Sequence, residues 1–334
     1  MVKDIELLDT KNNGNEYSLL KKMSYPVDKP ARCGWDVEMD SNGNRDYNIN
    51  VTSREDRKLG KKVLVRIQVR SLFSNYELEP VDCYLARLDP IRKLVYYAVH
   101  ALFEQGYDEI SIQQIYEAMG GKGKPNSMQI TKIHQYICEF ISSAVKIDNR
   151  EEALAYNRKT FNEDLTRVIE GRLKTERRAN GSIKRFKLLV YETPVFFRYA
   201  FETKQITTIP YELLALPMSI TAFLAKLNFY LIDQIEFRYK RYYDPNVYNV
   251  LRIDNLCGYM DITDRRDKSA FLHGSHGKQS PLITLLEKYV SIKYILGYKI
   301  EKNIITLELN PEIIAIKAQK PKTEVKKKIK PKSR

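Results

Sequence analysis

The 334-residue chain is poor in cysteine, histidine, tryptophan and glycine (4, 4, 1 and 14 residues), and each scarcity removes a class of protein. Cys33, Cys83, Cys138 and Cys257 are scattered and form no Cys-x-x-Cys pair. That excludes a dense disulfide framework and argues against a cysteine-based zinc knuckle. No run of about 18 uncharged apolar residues occurs, so no membrane span is predicted. The N-terminus lacks the apolar stretch of a signal peptide, which fits the reducing cytoplasm. His273 and His276 are the only closely spaced histidines; Cys257 or Asp261 could assist them, but four ligands at the defined positions of tetrahedral zinc are not evident, and the pair reads as loop residues. Gly120 to Lys124 lacks the spacing of a phosphate-binding loop, and Pro125 stands where Ser or Thr is required. Carboxylate pairs in apolar context, nucleophile–base arrangements and nickase motifs are also missing. The expectation is a non-enzymatic protein with no catalytic residues, no cofactor and no metal.

What is present in excess is positive charge. The formal net charge is +14, which favours polyanionic partners, nucleic acid above all. The segment from Lys317 to Arg334 carries nine Lys/Arg against one Glu, leaving a surplus of six on the body. Residues 317–334 alternate proline with lysine runs and are expected to be a disordered basic tail. Such a tail raises affinity for nucleic acid without adding sequence preference.

Hydrophobic periodicity organises the middle of the chain. Asp89-Pro90 opens a long helix with Leu94, Val95, Ala98, Val99, Leu102 and Phe103 at helical spacing, stopped by Gly106. A short extended piece at Glu109 to Ile112 and a helix to Met119 follow. A third helix then starts at Ser127, and a strand at Val145 to Ile147. Arg172 to Lys187 reads as a basic hairpin turning at Asn180-Gly181. A second cycle repeats this order: a helix from about Ser219 to Arg241, an extended Val250 to Ile253, and a brief helix from Asn255. It continues with a helix from Pro281 and a hairpin through Ile304 to Leu309. Long helix, strand, short helix, helix and hairpin is the element order of a winged helix-turn-helix. The predicted fold class is therefore α+β, with two winged helix-turn-helix domains. The domains expected are an N-terminal extension with a strand (1–80), a first winged helix with a long basic hairpin (81–205), a second (206–316), and the tail (317–334). Residues 1 to about 60 read as a loosely folded arm.

In such domains the exposed side of the third helix enters the major groove, where Arg, Lys, Asn and Gln read base edges. In the first domain the candidates are Asn126, Gln129, Lys132 and Gln135, with Lys122 and Lys124 placed for phosphates. The hairpin supplies Arg172, Lys174, Arg177, Arg178, Lys184, Arg185 and Lys187, offset only by Glu176. In the second domain Arg265, Arg266, Lys268, Lys278, Gln279, Ser280 and Lys288 stand before or on the third helix, interrupted by Asp261, Asp264 and Asp267. Residue by residue, each set has solvated surface as its alternative reading, and the hairpin is the local feature that most favours contact with DNA. Tyr239, Tyr242 and Tyr243 alternate with Arg238, Lys240 and Arg241, a pattern that fits base stacking or, preferably, packing between domains.

Two stretches carry a family resemblance. Leu88-Asp89-Pro90-Ile91-Arg92-Lys93-Leu94-Val95 resembles the opening helix of a winged-helix domain in plasmid and phage replication initiators. Leu286-Glu287-Lys288-Tyr289 through Gly297-Tyr298-Lys299-Ile300-Glu301 resembles a recognition helix passing into a wing. The resemblance covers roughly residues 85–310. It implies a protein that binds repeated origin sites on double-stranded DNA, helps open adjacent DNA, recruits a host helicase or its loader, and self-associates. A transcriptional or partition regulator fits the same residues. So does a phage or mobile-element factor that contacts protein alone.

Overall fold

The computed structural model describes residues 20–26, 38–39, 45–50, 64–71, 89–148, 150, 154, 163–202, 206–242, 249–275 and 279–318. It opens with strands β1 (Lys22–Pro26), β2 (Glu38–Met39), β3 (Arg45–Asn50) and β4 (Leu64–Ser71). Helix α1 (Pro90–Glu104) begins where the sequence places it. The Asp89 carboxylate accepts from the Ile91 N–H at 2.8 Å, and Pro90 sits in the first turn, where its missing donor costs nothing. Strand β5 (Glu109–Ser111) leads into α2 (Ile112–Ala118), and a loop leads into α3 (Ser127–Ser142). Both helices start with capping boxes, Ser111 with Gln114 and Asn126 with Gln129. Helix α3 runs directly into β6 (Ser143–Asp148), followed by β7 (Glu163–Arg167), β8 (Gly171–Arg177) and β9 (Ile183–Val190). These strands form two antiparallel sheets, β2-β3-β4-β6-β7 and β5-β9-β8.

A second unit follows α4 (Val195–Glu202) and β10 (Ile206–Pro210). Its elements are α5 (Ala222–Lys240), β11 (Val250–Arg252), α6 (Ile253–Tyr259), α7 (Arg265–His273), α8 (Pro281–Ser291), β12 (Ile295–Glu301) and β13 (Ile304–Leu309), with α9 (Pro311–Ala318) closing the described chain. Its sheet order, β11-β13-β12, matches β5-β9-β8 strand for strand. Helix α7 is an addition in the second unit. The sequence places Arg265, Arg266 and Lys268 before or on the third helix; they open α7, which Asp264 caps by accepting from the Arg266 N–H at 2.6 Å.

Helix α1 is the centre of the molecule. Residues Leu94 to Leu102 are all buried, so every face of the helix is covered. Tyr97 meets Tyr25 of β1, Phe197 of α4 and Phe229 of α5 at ring-centroid distances of 5.5, 5.0 and 5.3 Å. The two units therefore share a core built on α1 and α5. Strand β1 fastens both. It pairs antiparallel with β10, its Tyr25 hydroxyl donates to Asp233 at 2.7 Å, and its Ser24 N–H donates to Glu104 at 2.7 Å.

Within residues 1–60, strand β1 departs from the expected loose arm. Met23 and Tyr25 are core residues, and β2 and β3 extend a sheet that β4 and β6 begin. Lys317 likewise does not begin a disordered tail. It ends α9 with its ammonium on Glu236 and on the Thr207 hydroxyl at 3.0 Å. The rest of the expected tail, residues 319–334, lies outside the described residues.

Candidate nucleic-acid interface

Helix α3 is amphipathic because Ile130, Ile133, Ile137 and Phe140 recur on one side and are buried. The other side presents Ser127, Met128, Thr131 and Lys132 to solvent. Several residues expected to read bases are already engaged. Asn126 and Gln129 satisfy each other across the capping box, at 2.8 and 2.9 Å. Gln135 is half-buried and donates to Glu139 at 3.3 Å, and Glu139 is itself held by Arg92 at 3.2 Å. Lys132 stays exposed. Met128 and Thr131 were missed in the sequence, although the phase of the isoleucine stripe puts both opposite the core. Lys122 and Lys124 are exposed in the loop before α3. The Gly123 carbonyl in that loop accepts from Gln113 at 2.9 Å.

The loop's shape depends on Gly120. Its φ is +94°, and a Cβ there would meet the Leu216 backbone N and O at 2.4 Å. Only glycine lets the chain between the units pass this close, and the Leu216 N–H donates to the Met119 carbonyl at 3.0 Å.

The β8–β9 hairpin packs its inner side on α3. The imidazole of His134 lies 2.8 Å from the Thr175 hydroxyl and 5.3 Å from the Phe186 ring centroid. Burial, and then the charge of Arg177, hold the His134 pKa below its ordinary value. Cross-strand pairing of Lys174 with Lys187 and of Glu176 with Arg185 sets these residues on the outer face, with Arg172. The turn is a three-residue loop in which the Gly181 N–H donates to Arg178 O at 2.9 Å and the Arg178 N–H to Ser182 O at 2.8 Å. Gly181 supplies the required positive φ, +80°.

Not every hairpin cation is free. Glu176 binds Lys184 at 2.6 Å and also Arg185, and these two bonds hold its carboxyl below the usual carboxylate range. Glu109 of β5 takes Lys187, a counter-charge the sequence reading did not foresee. Arg177 donates to the Gly181 carbonyl at 2.9 Å and so braces its own turn. Arg172 and Lys174 are exposed, and no ion pair engages them among the described residues.

The second unit departs from expectation. Lys288 does not extend a contact face. Its ammonium turns inward to the Ala215 carbonyl, and burial pushes its pKa down to about 7. Ser280 is buried, its hydroxyl accepting from the Ile283 N–H at 3.1 Å as the α8 cap. Lys268 is paired with Asp254 at 2.6 Å. Lys278 lies outside the described residues. Arg265, Arg266 and Gln279 remain exposed, while α8 shows solvent Glu287 and Ser291. On the second hairpin Lys299 is paired with Glu301 at 2.5 Å. In the tyrosine–arginine run ending α5, Arg238 and Tyr239 pack inward, while Lys240, Arg241 and Tyr242 are exposed. Tyr239 is buried and its hydroxyl donates to the Tyr294 carbonyl, and Arg238 donates to the Gln234 carbonyl at 2.6 Å. Tyr243 lies outside the described residues.

The fold and this surface define an α+β protein of small antiparallel sheets and helices, arranged consistently with winged-helix-type domains. No helix among the described residues is long and apolar enough to cross a membrane. No protein-family model matches the sequence, and no curated protein matches it. Distant structural similarity exists to domains 2 and 3 of RctB. One crystal structure of these domains is 14% identical, with a TM-score of 0.43, over 86% of this chain and 98% of that chain. A selenomethionine form is 14% identical, with a TM-score of 0.38, over 83% of this chain and 95% of that chain.

Proposed function

We propose that the two units, residues 81–205 and 206–316, are winged-helix modules and that the first binds double-stranded DNA. Helix α3 enters the major groove, which is wide enough for a helix, while the β8–β9 hairpin follows the flanking backbone or reaches the minor groove with arginine. One observation carries this reading. The solvent side of α3 carries Ser127, Met128, Thr131 and Lys132, and a hairpin packed on that helix holds seven cations against Glu109 and Glu176. The second module contributes less, through Arg265, Arg266 and Gln279, because its third helix turns Lys288 inward. Two linked modules raise each other's effective concentration, which suits repeated or extended sites.

The biological role we infer is recognition of a replication origin in the cytoplasm. Binding at repeated sites there assembles the initiation complex, and a separate helicase or loader supplies the motor. Self-association would tune occupancy. The test is to select bound fragments from genomic or replicon DNA with the full chain and footprint them at several salt concentrations. Protection of iterated sequences supports the origin reading. Protection of a single operator supports a transcriptional or partition regulator. No retained DNA at or below about 0.15 M salt sinks DNA binding altogether. Replacing Arg177, Arg178, Lys184 and Arg185 by Ala is expected to flatten the salt dependence. An unchanged dependence in a folded variant moves the interface elsewhere.

A further inference from the structure

The side of α3 turned to solvent holds an apolar group that the fold does not use. Met128, the second residue of the helix, is 78% exposed, more than any other large apolar side chain among the described residues. One turn on, Thr131 is exposed, and its hydroxyl donates to the Ser127 carbonyl at 2.9 Å, leaving its methyl unengaged. Residues three apart on a helix are neighbours, so the two make one small methyl-bearing patch. Lys122 and Lys124 stand exposed in the loop before the helix, and Lys132 is exposed one turn on from Met128. A hydrophobic protein partner is poorly matched to a patch this small among these lysines. The apolar group that duplex DNA displays in its major groove is the C5-methyl of thymine. Methionine's unbranched, polarisable side chain adapts to such a methyl without fixed geometry.

We propose that Met128, with the Thr131 methyl, reads a thymine methyl in the major groove and so sets part of the sequence preference. The proposal rests on α3 being the helix that enters the groove. The test uses the selected duplex with each thymine in turn replaced by deoxyuridine, which lacks the methyl and keeps the base pair. Wild-type affinity is expected to fall about fourfold at one or two positions, as for one buried methyl at ~0.8 kcal/mol. Met128→Gln/Thr131→Ser is expected to bind the two duplexes equally, Met128→Gln alone to lose most of the difference, and Met128→Leu to retain the preference. Wild-type protein that protects the duplex yet is indifferent to every substitution overturns the proposal and leaves DNA binding intact. Persistence of the preference in the double variant, or of its full size in Met128→Gln, also overturns it. Absence of any duplex binding overturns both readings together, so the two failures are distinguishable.

Discussion

The double substitution Arg172→Ala/Lys174→Ala isolates the electrostatic part of the interface. Both side chains are exposed on the outer face of β8, and neither is in an ion pair among the described residues, so removing them leaves no stranded carboxylate. Each cation that neutralises a phosphate contributes about 0.9 to the slope of log affinity against log salt. The double variant should therefore lower that slope by about 1.8. Across a fourfold rise in salt, from about 0.05 to 0.2 M, the wild type should lose about 12-fold more affinity than the variant. Fluorescence anisotropy on a selected duplex at four salt concentrations reads this directly, and circular dichroism confirms the fold. Lys299→Ala on the second hairpin is the internal control. Lys299 lies outside the surface assigned to the DNA backbone, so the slope should barely move. Equal slopes for wild type and double variant, or an equal change for Lys299→Ala, would refute the assignment of the first hairpin to the DNA backbone.

Three further outcomes test the fold that carries the interface. Gly120→Ala places a Cβ 2.4 Å from the Leu216 backbone at a φ of +94°, whereas Gly123, with φ +70°, has open space. Both pay about 1–3 kcal/mol for the backbone conformation, and only Gly120→Ala should pay more. Equal melting temperatures would deny the close approach between the units. Lys288 has a folded pKa of about 7 against 10.5 when exposed. The unfolded chain then binds more protons between these values, so stability should rise with pH across that window, and the penalty is complete below about pH 7, on the order of 5 kcal/mol. Lys288→Met should be more stable than wild type in urea at pH 7, with the gap closing toward pH 10. A variant less stable at pH 7 contradicts this. Lys317→Ala strands Glu236, which is 1% exposed and, among the described residues, keeps the Tyr294 hydroxyl at 2.7 Å and the Thr207 hydroxyl at 3.1 Å. The expected cost is about 3–5 kcal/mol. Lys317→Met/Glu236→Gln should recover much of it, and a neutral single variant would place Lys317 outside the fold.

The chain's local chemistry is legible in its letters. Asp89-Pro90, Ser111 with Gln114 and Asn126 with Gln129 mark helix starts because a cap and its helix lie within four residues of each other. Asn180-Gly181 marks the hairpin for the same reason, since the turn is settled by the residues that form it. Helix α7 escaped notice because Arg265-Arg266-Asp267-Lys268 shows no apolar stripe until Phe271 and Leu272. Strand β1 escaped because it is defined by a partner far along the chain, β10.

By itself, then, the sequence determined where α1, α2 and α3 begin and where the cationic hairpin turns, because these are short-range matters of capping, backbone freedom and periodicity. Only the tertiary structure decided which charges face solvent. Lys288 turns to Ala215, 73 positions away, and Lys187 meets Glu109 across 78. Burial and ion pairing depend on neighbours brought together by folding, and no local pattern records them.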